Sequence, residues 1–219
     1  MKVLLYCPLY PKSPRIYARS LQSIFTQDYP EPIEMVFGKH DGAKIGINDL
    51  VEKHNRARQW ALEDGYDALF LVEADIILPY DALSRLVAVD SDVAYGLYCG
   101  RHGNHQWLAF SELRKNTGKS YDLNRRWCAA NWGQVIETKG VGMGCTLIHR
   151  RVLEQIEFRV NGSMADDWYF SLDCQEKGFS QKHDLGVICG HILHENNPPK
   201  TIWPSIAGKD VMYEFERLE

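Results

Sequence analysis

The sequence predicts an α/β fold, a central sheet between layers of helix, and three observations carry that expectation. Short β-branched or aromatic runs alternate with amphipathic helical stretches through the first half of the chain. One of those runs, Ala68–Val72, is apolar on both faces and therefore belongs inside a sheet rather than at a solvated edge. The chain has 219 residues, 45% of them hydrophobic, enough for one domain with a substantial core.

Taken in order, Lys2–Cys7 is a continuous apolar strand. Arg15–Thr26 follows with Tyr17, Leu21, Ile24 and Phe25 at helical spacing. Ile33–Phe37 is a second strand, ending near the turn dipeptide Asp41-Gly42. Ile47–Glu63 aligns Ile47, Leu50, Val51, His54, Arg58 and Ala61 on one stripe, the mark of a helix. Ala68–Val72 is the third strand. Pro79 is placed to open the next helix, where its missing N–H costs nothing, and Leu83, Leu86 and Val87 face inward. Val93–Leu97 is a fourth strand. Residues 100–139 mix Gly, Asn, Trp and charge, and read as loops and short strands over the sheet edge. Order returns at Gly140–Leu153 and Asp166–Lys177, followed by a strand at Val187–His191. Residues 196–219, with Pro198-Pro199 and Pro204, read as a C-terminal tail, folded over the active face or mobile.

Composition removes several function classes. A net charge of −4 argues against a nucleic-acid partner, except as a modified acceptor. Lys12/Arg15/Arg19 and Lys53/Arg56/Arg58 read as solvated helix faces. No run of eighteen apolar residues exists to span a membrane, and the apolar start at Met1–Pro8 is too short for a signal peptide. Six cysteines without a C-x-x-C pair read as reduced thiols, so a cytoplasmic location is expected. The first strand runs into Pro8 and Pro11 with no G-x-G-x-x-G, which disfavours a dinucleotide oxidoreductase, and no P-loop sequence is present.

Ligands of parallel α/β sheets bind beyond the carboxyl ends of strands. Those ends carry Pro8-Leu9-Tyr10, Asp41 and Glu73-Ala74-Asp75. Alternation along an extended chain turns Glu73 and Asp75 the same way. Two carboxylates side by side repel unless a cation lies between them, and oxygen ligands suit Mg²⁺ or Mn²⁺. In the alternative reading, Asp75 simply ends the strand and Glu73 is solvated.

Arg19-Ser20-Leu21-Gln22-Ser23-Ile24-Phe25-Thr26-Gln27-Asp28-Tyr29-Pro30 resembles the first helix of family 2 glycosyltransferases. Asn55-Arg56-Ala57-Arg58, then Leu69–Asp75, resemble that family's Ala-Arg-Asn helix and D-x-D strand. Gly140-Val141-Gly142-Met143-Gly144-Cys145 looks like its glycine-rich acceptor segment, Ala165–Phe170 like its Glu-Asp motif, and Cys189-Gly190-His191 like its late metal-binding histidine. Order and spacing agree over roughly residues 2–195. The resemblance departs at Glu73, where the family has Asp, and at Asp166-Asp167, where it has Glu-Asp.

The resemblance implies a GT-A (Rossmann-like) nucleotide-diphospho-sugar transferase fold with a mixed central sheet flanked by helices. Residues 1–98 would form the donor-binding half and 99–195 the acceptor and catalytic half. It implies Mn²⁺ or Mg²⁺ held by Asp75 and His191, with Glu73 near the ribose or a metal-bound water and His194 as an alternative ligand. Asp167 becomes the candidate base, with Asp166 capping the helix or acting in its place. Pro8, Tyr10, Arg15, Asp41, Arg58 and Ala74 fall to the nucleotide. The donor would be a nucleotide-sugar, UDP-sugar favoured, and the acceptor a glycan, lipid-linked or other hydroxyl, with inversion. Gly140, Gly142 and Gly144 allow either a bulge or close approach to a sugar, and Trp107, Trp127 and Trp132 either sugar stacking or core packing. Two rival readings stand: a non-catalytic carbohydrate- or nucleotide-binding protein on a decayed transferase fold, and a sugar-nucleotide nucleotidyltransferase.

Overall fold

A computed structural model describes residues 1–9, 16–39, 47–103, 105–113, 120–122, 129–160, 165–193, 196, 198–208 and 210–217. Strand β1 (Val3–Pro8) lies between β2 (Ile33–Gly38) and β3 (Ala68–Val72), parallel to both. Beyond β3 come β9 (Cys145–His149), β5 (Val93–Leu97), β10 (Gln181–Ile188) and β8 (Val135–Glu137), giving the order β2-β1-β3-β9-β5-β10-β8. β9 and β8 run against their neighbours, so the sheet is mixed. This is the α/β sheet flanked by helices that the sequence predicts. The middle of the chain adds the small pair β6 (Phe110–Leu113) and β7 (Ser120–Asp122).

Strand alternation sorts the core into two layers. Val3, Leu5, Cys7 and Phe70 meet Ile24 of α1 (Ala18–Phe25) and Leu83 and Leu86 of α3 (Ala82–Ala88) on one face. Leu4, Tyr6, Leu69 and Leu71 meet Ala57 and Ala61 of α2 (Ile47–Glu63) on the other. That second layer also takes Val152 from α4 (Arg150–Leu153) and Phe170 from α5 (Asp166–Lys177). Pro79 precedes α3 by three residues; its carbonyl accepts the Ala82 amide at 3.2 Å, so it closes a turn instead of starting the helix. All five described cysteines are free and buried. No helix among the described residues is long and apolar enough to cross a membrane.

The expected strand at Val187–His191 is two strands in two sheets. β10 ends at Ile188, the Cys189 amide donates to Leu97 O at 2.8 Å, and β11 (Gly190–Leu193) joins a second sheet. That sheet has the order β13-β12-β11-β4, from β4 (Ile76–Ile77), β12 (Lys200–Ala207) and β13 (Asp210–Arg217). Most of the segment expected as a tail is therefore an antiparallel hairpin, with Thr201 and Ile202 fully buried. Pro204 fits because β12 pairs with β11 only through Ile202; from there on its only strand partner among the described residues is β13, where a missing N–H breaks no second described ladder.

Candidate metal site

Glu73 and Asp75 meet in a turn, not on an extended strand as alternation alone suggests. β3 stops at Val72, the Glu73 amide donates to Gly144 O at 3.1 Å, and the Ile76 amide donates to Glu73 O at 3.1 Å. Immediately after the turn, β4 pairs with β11 so that Ile76 stands opposite His191, and the Ile192 amide donates to Asp75 O at 2.8 Å. The backbone thus delivers a histidine from late in the chain to a carboxylate pair at the tip of β3.

One ligand atom from each of Glu73, Asp75 and His191 lies within 4.8 Å of the others. His191 Nδ1 sits 2.8 Å from Cys99 O; a carbonyl only accepts, so Nδ1 carries a proton. Nε2 is then directed at the carboxylates, 3.6 Å from Asp75 Oδ2, buried and without a hydrogen-bond partner. A backbone carbonyl fixing one ring nitrogen while the other faces two carboxylates is the orientation a metal-ligating histidine needs. Two hard oxygens and an imidazole suit Mn²⁺ or Mg²⁺. The residues present fit a divalent cation.

Electrostatics in the site support the same reading. Burial, and then the Asp75 charge, push the Glu73 carboxyl up to about 7, against the opposing pull of His191 and Arg101. Burial draws His191 down, but Asp75 and Glu73 outweigh it and hold the imidazole above its ordinary value. The acidic turn therefore favours positive charge beside it. Arg101 supplies part of it, with Nη2 2.5 Å from Asp75 Oδ2. A cation at Asp75 has to compete with that guanidinium. Arg101→Ala is expected to tighten Mn²⁺ binding to the nucleotide-free protein by roughly fivefold, about 1 kcal/mol of relieved repulsion in a partly solvated site. Calorimetric titration reads this directly; weaker binding in the variant would show that Arg101 is not a competitor.

The second acidic pair opens α5. Asp166 is its first helical residue, not its cap, which is Ala165; its carboxylate is buried and 2.7 Å from His54 Nδ1 on α2. Asp167 is partly accessible, and its Oδ1 accepts the Trp168 amide at 2.6 Å. A helix N-terminus and an amide donor both favour ionisation. Burial nonetheless dominates, with the Asp166 charge next, and lifts Asp167 to about 6. That value suits a base working near neutrality.

Tyr98 feels the charge of both acidic groups. Its buried hydroxyl accepts the Gly144 amide at 2.9 Å, and burial, followed by the charges of Glu73, Asp167 and Asp75, pushes it far up. Asp167 is also close enough to raise Glu73. The glycine segment between them is hemmed in by buried side chains, Gln181, Ser171 and Tyr95 at Gly140 and Tyr98 at Gly142. Gly140 (φ +80) and Gly142 (φ +108) occupy left-handed backbone, and an added Cβ would stand 2.7 Å from Tyr95 OH and 2.6 Å from Tyr98 OH respectively. Val141 between them is also left-handed, at φ 82, a strained geometry for a β-branched residue. Ser171 Oγ accepts its amide at 3.0 Å, and Trp168 packs in the same apolar cluster.

The other expected residues divide. Pro8 ends β1 opposite Gly38, and the Cys7 thiol, pushed up to about 12 by burial and then by Asp75 and Glu73, places that strand end beside the acidic turn. Ala74 packs against the same cluster as Cys7. Arg58 does not reach the site. Its Nε donates to Leu153 O at 2.6 Å, and α4 follows His149, which pairs with Ala68 at the opposite end of β3. Its stripe position on α2 faces α4, so a phosphate role is replaced by a structural one. Tyr10, Arg15, Asp41, Trp127 and His194 lie outside the described residues. Trp107 and Trp132 pack on each other with ring centroids 5.4 Å apart, Trp107 only 8% exposed, which makes them core rather than stacking platforms.

Sequence reading missed Arg101, His54 and Lys53. Lys53 is buried, with Nζ 2.7 Å from Leu9 O and 2.6 Å from Asp49 Oδ2 at the end of β1. The rule that sites form beyond strand ends, applied to the strand at Val93–Leu97, would have reached Arg101. The i,i+4 spacing of Asp49 and Lys53 was a legible pair, though its burial was not.

No family model matches the chain, and no characterised protein matches it in sequence. Among solved structures, A197 from STIV superposes with a TM-score of 0.65 at 16% identity, covering 100% of this chain and 97% of that one. S. aureus TarS superposes with a TM-score of 0.48 at 17% identity, over 84% of this chain and 35% of that one. The likeness to A197 shows a shared fold over the full length.

Proposed function

We propose that this chain is a metal-dependent glycosyltransferase of the GT-A type, transferring a sugar from a nucleotide-sugar, UDP-sugar favoured, to an acceptor hydroxyl with inversion. One observation carries the reading: His191 Nε2 is buried, makes no hydrogen bond and stands 3.6 Å from Asp75 Oδ2, with its other nitrogen pinned by Cys99 O. The residues that resemble the family's D-x-D and late histidine thus converge on one cation-sized group, a convergence their sequence spacing alone does not require.

Asp75, His191 and Glu73 would hold the cation, which when bound neutralises charge on a diphosphate leaving group. Arg101, which now bonds Asp75, would on release pair with a phosphate oxygen. Asp167 takes the proton of the acceptor hydroxyl on Oδ2, because Oδ1 is occupied by the Trp168 amide. Asp166 is the weaker candidate for that task, since it is buried and engaged by His54; its charge instead keeps Asp167 basic near pH 6.

A thermal-shift series of nucleoside diphosphates, with and without Mn²⁺, tests the reading. One nucleotide, with UDP first in order, is expected to raise Tm only when Mn²⁺ is present; at a hundred times Kd the gain corresponds to about 2.7 kcal/mol. No metal-dependent response to any nucleotide would favour the non-catalytic binding protein.

A further inference from the structure

The hairpin β12–β13 has two unlike faces. On one, Glu214 Oε1 accepts from Ser205 Oγ at 2.7 Å, and Glu216 Oε2 accepts from Trp203 Nε1 at 2.9 Å and pairs with Arg19 at 3.0 Å. The other face carries Tyr213 and Phe215, 41% and 50% exposed. Their rings stand edge to face, 5.5 Å between centroids, with His105 against both at 5.3 and 5.6 Å. Two aromatic rings left in solvent on a sheet edge are an aggregation liability unless something covers them.

Register shows what lies nearby. His191 pairs with Ile202, and Ile202 pairs with Phe215. Directly paired residues of an antiparallel sheet project to the same face, so Phe215 shares a face with His191 two strands away, roughly 10 Å along the hydrogen-bonding direction. Residues close in sequence reach both places: Cys99 O holds His191, Arg101 meets Asp75, and His105 edges the rings.

We propose that Tyr213 and Phe215, edged by His105, form a saccharide subsite on the same sheet face as His191, roughly 10 Å from it. This rests on the glycosyltransferase reading above. The axial C–H bonds of a pyranose ring present an apolar, weakly positive face that matches the negative face of an aromatic ring. Lys200, with Nζ 5.8 Å from the Phe215 centroid, supplies a donor at the margin for ring hydroxyls. A second copy of the chain is the poorer occupant. Two half-exposed rings offer on the order of 200 Å², against about 800 Å² per partner in a stable protein interface.

The test is an NMR titration that follows the aromatic resonances of Tyr213 and Phe215, with chitobiose, cellobiose, maltose and lactose as probes. At least one disaccharide is expected to shift both rings. Tyr213→Ser with Phe215→Thr should weaken that binding about tenfold or more, and Tyr213→Phe, which keeps the ring, should retain it. Should the double variant fail to fold, Tyr213→Ser alone makes the same comparison at an edge position. The proposal is overturned if none of the four sugars moves these rings, or if binding survives loss of both. It is equally overturned if the variant changes the oligomeric state of a dimeric wild type, or abolishes the Mn²⁺-dependent UDP response, since the rings would then serve a second copy or the donor base. Failure of the transferase reading itself registers separately, as absence of that UDP response in the unaltered protein.

Discussion

Asp167→Asn is expected to lower sugar transfer by about 10²–10⁴-fold, the usual contribution of a positioned base, while making the protein more stable. The two effects share one cause. Burial and the Asp166 charge hold Asp167 at about 6 instead of 3.8, so the fold disfavours the ionised form that catalysis needs. The sign follows from linkage: a carboxyl whose folded value lies above its unfolded one contributes most at low pH, and loses that contribution as pH rises through about 6. The full displacement corresponds to roughly 3 kcal/mol, and partial access to solvent reduces it to about 1–2 kcal/mol. Asparagine removes the penalty. Its Tm should exceed that of the wild type by several degrees at pH 8, with the difference closing as the pH approaches 4. Donor binding should be intact. In the wild type, transfer should fall as pH drops below about 6, as the base is protonated. A variant that retains turnover, or is less stable at pH 8, would move the base elsewhere.

Asp75→Asn should weaken Mn²⁺-dependent nucleoside-diphosphate binding by at least about 100-fold, beyond the 10- to 100-fold typical of residues that only support a ligand. Calorimetry with UDP and Mn²⁺ checks it. The amide keeps size and one oxygen but gives up the charge that opposes the cation, so the loss should appear in metal affinity, with the fold unaffected. Unchanged affinity would remove Asp75 from the site.

Much of this was legible in the chain. Ala68–Val72 had to be interior because neither face is polar, and it is the strand whose end carries the acidic turn. The helix at 47–63 followed from periodicity, and the stretch at 166–177, expected as ordered, is a helix. What could not be read was the switch of sheets at Cys189. A run of apolar residues gives no sign that its hydrogen bonds change partners midway, yet that change carries His191 to Ile76. The hairpin at 200–217 was hidden by prolines, whose cost depends on which neighbour a strand has, a property of the folded sheet. Arg58 misled for a related reason: its helical stripe was right, but a stripe does not say which end of the sheet it faces.

The proposed site would bind its cation through the Nε2 of His191. Pulsed electron paramagnetic resonance of the Mn²⁺–UDP complex reads this directly through the ¹⁴N coupling of a coordinated ring. The expected result is a histidine nitrogen signal in the wild type that vanishes in His191→Ala; a wild-type complex with no such coupling, or one whose coupling survives that substitution, would contradict it.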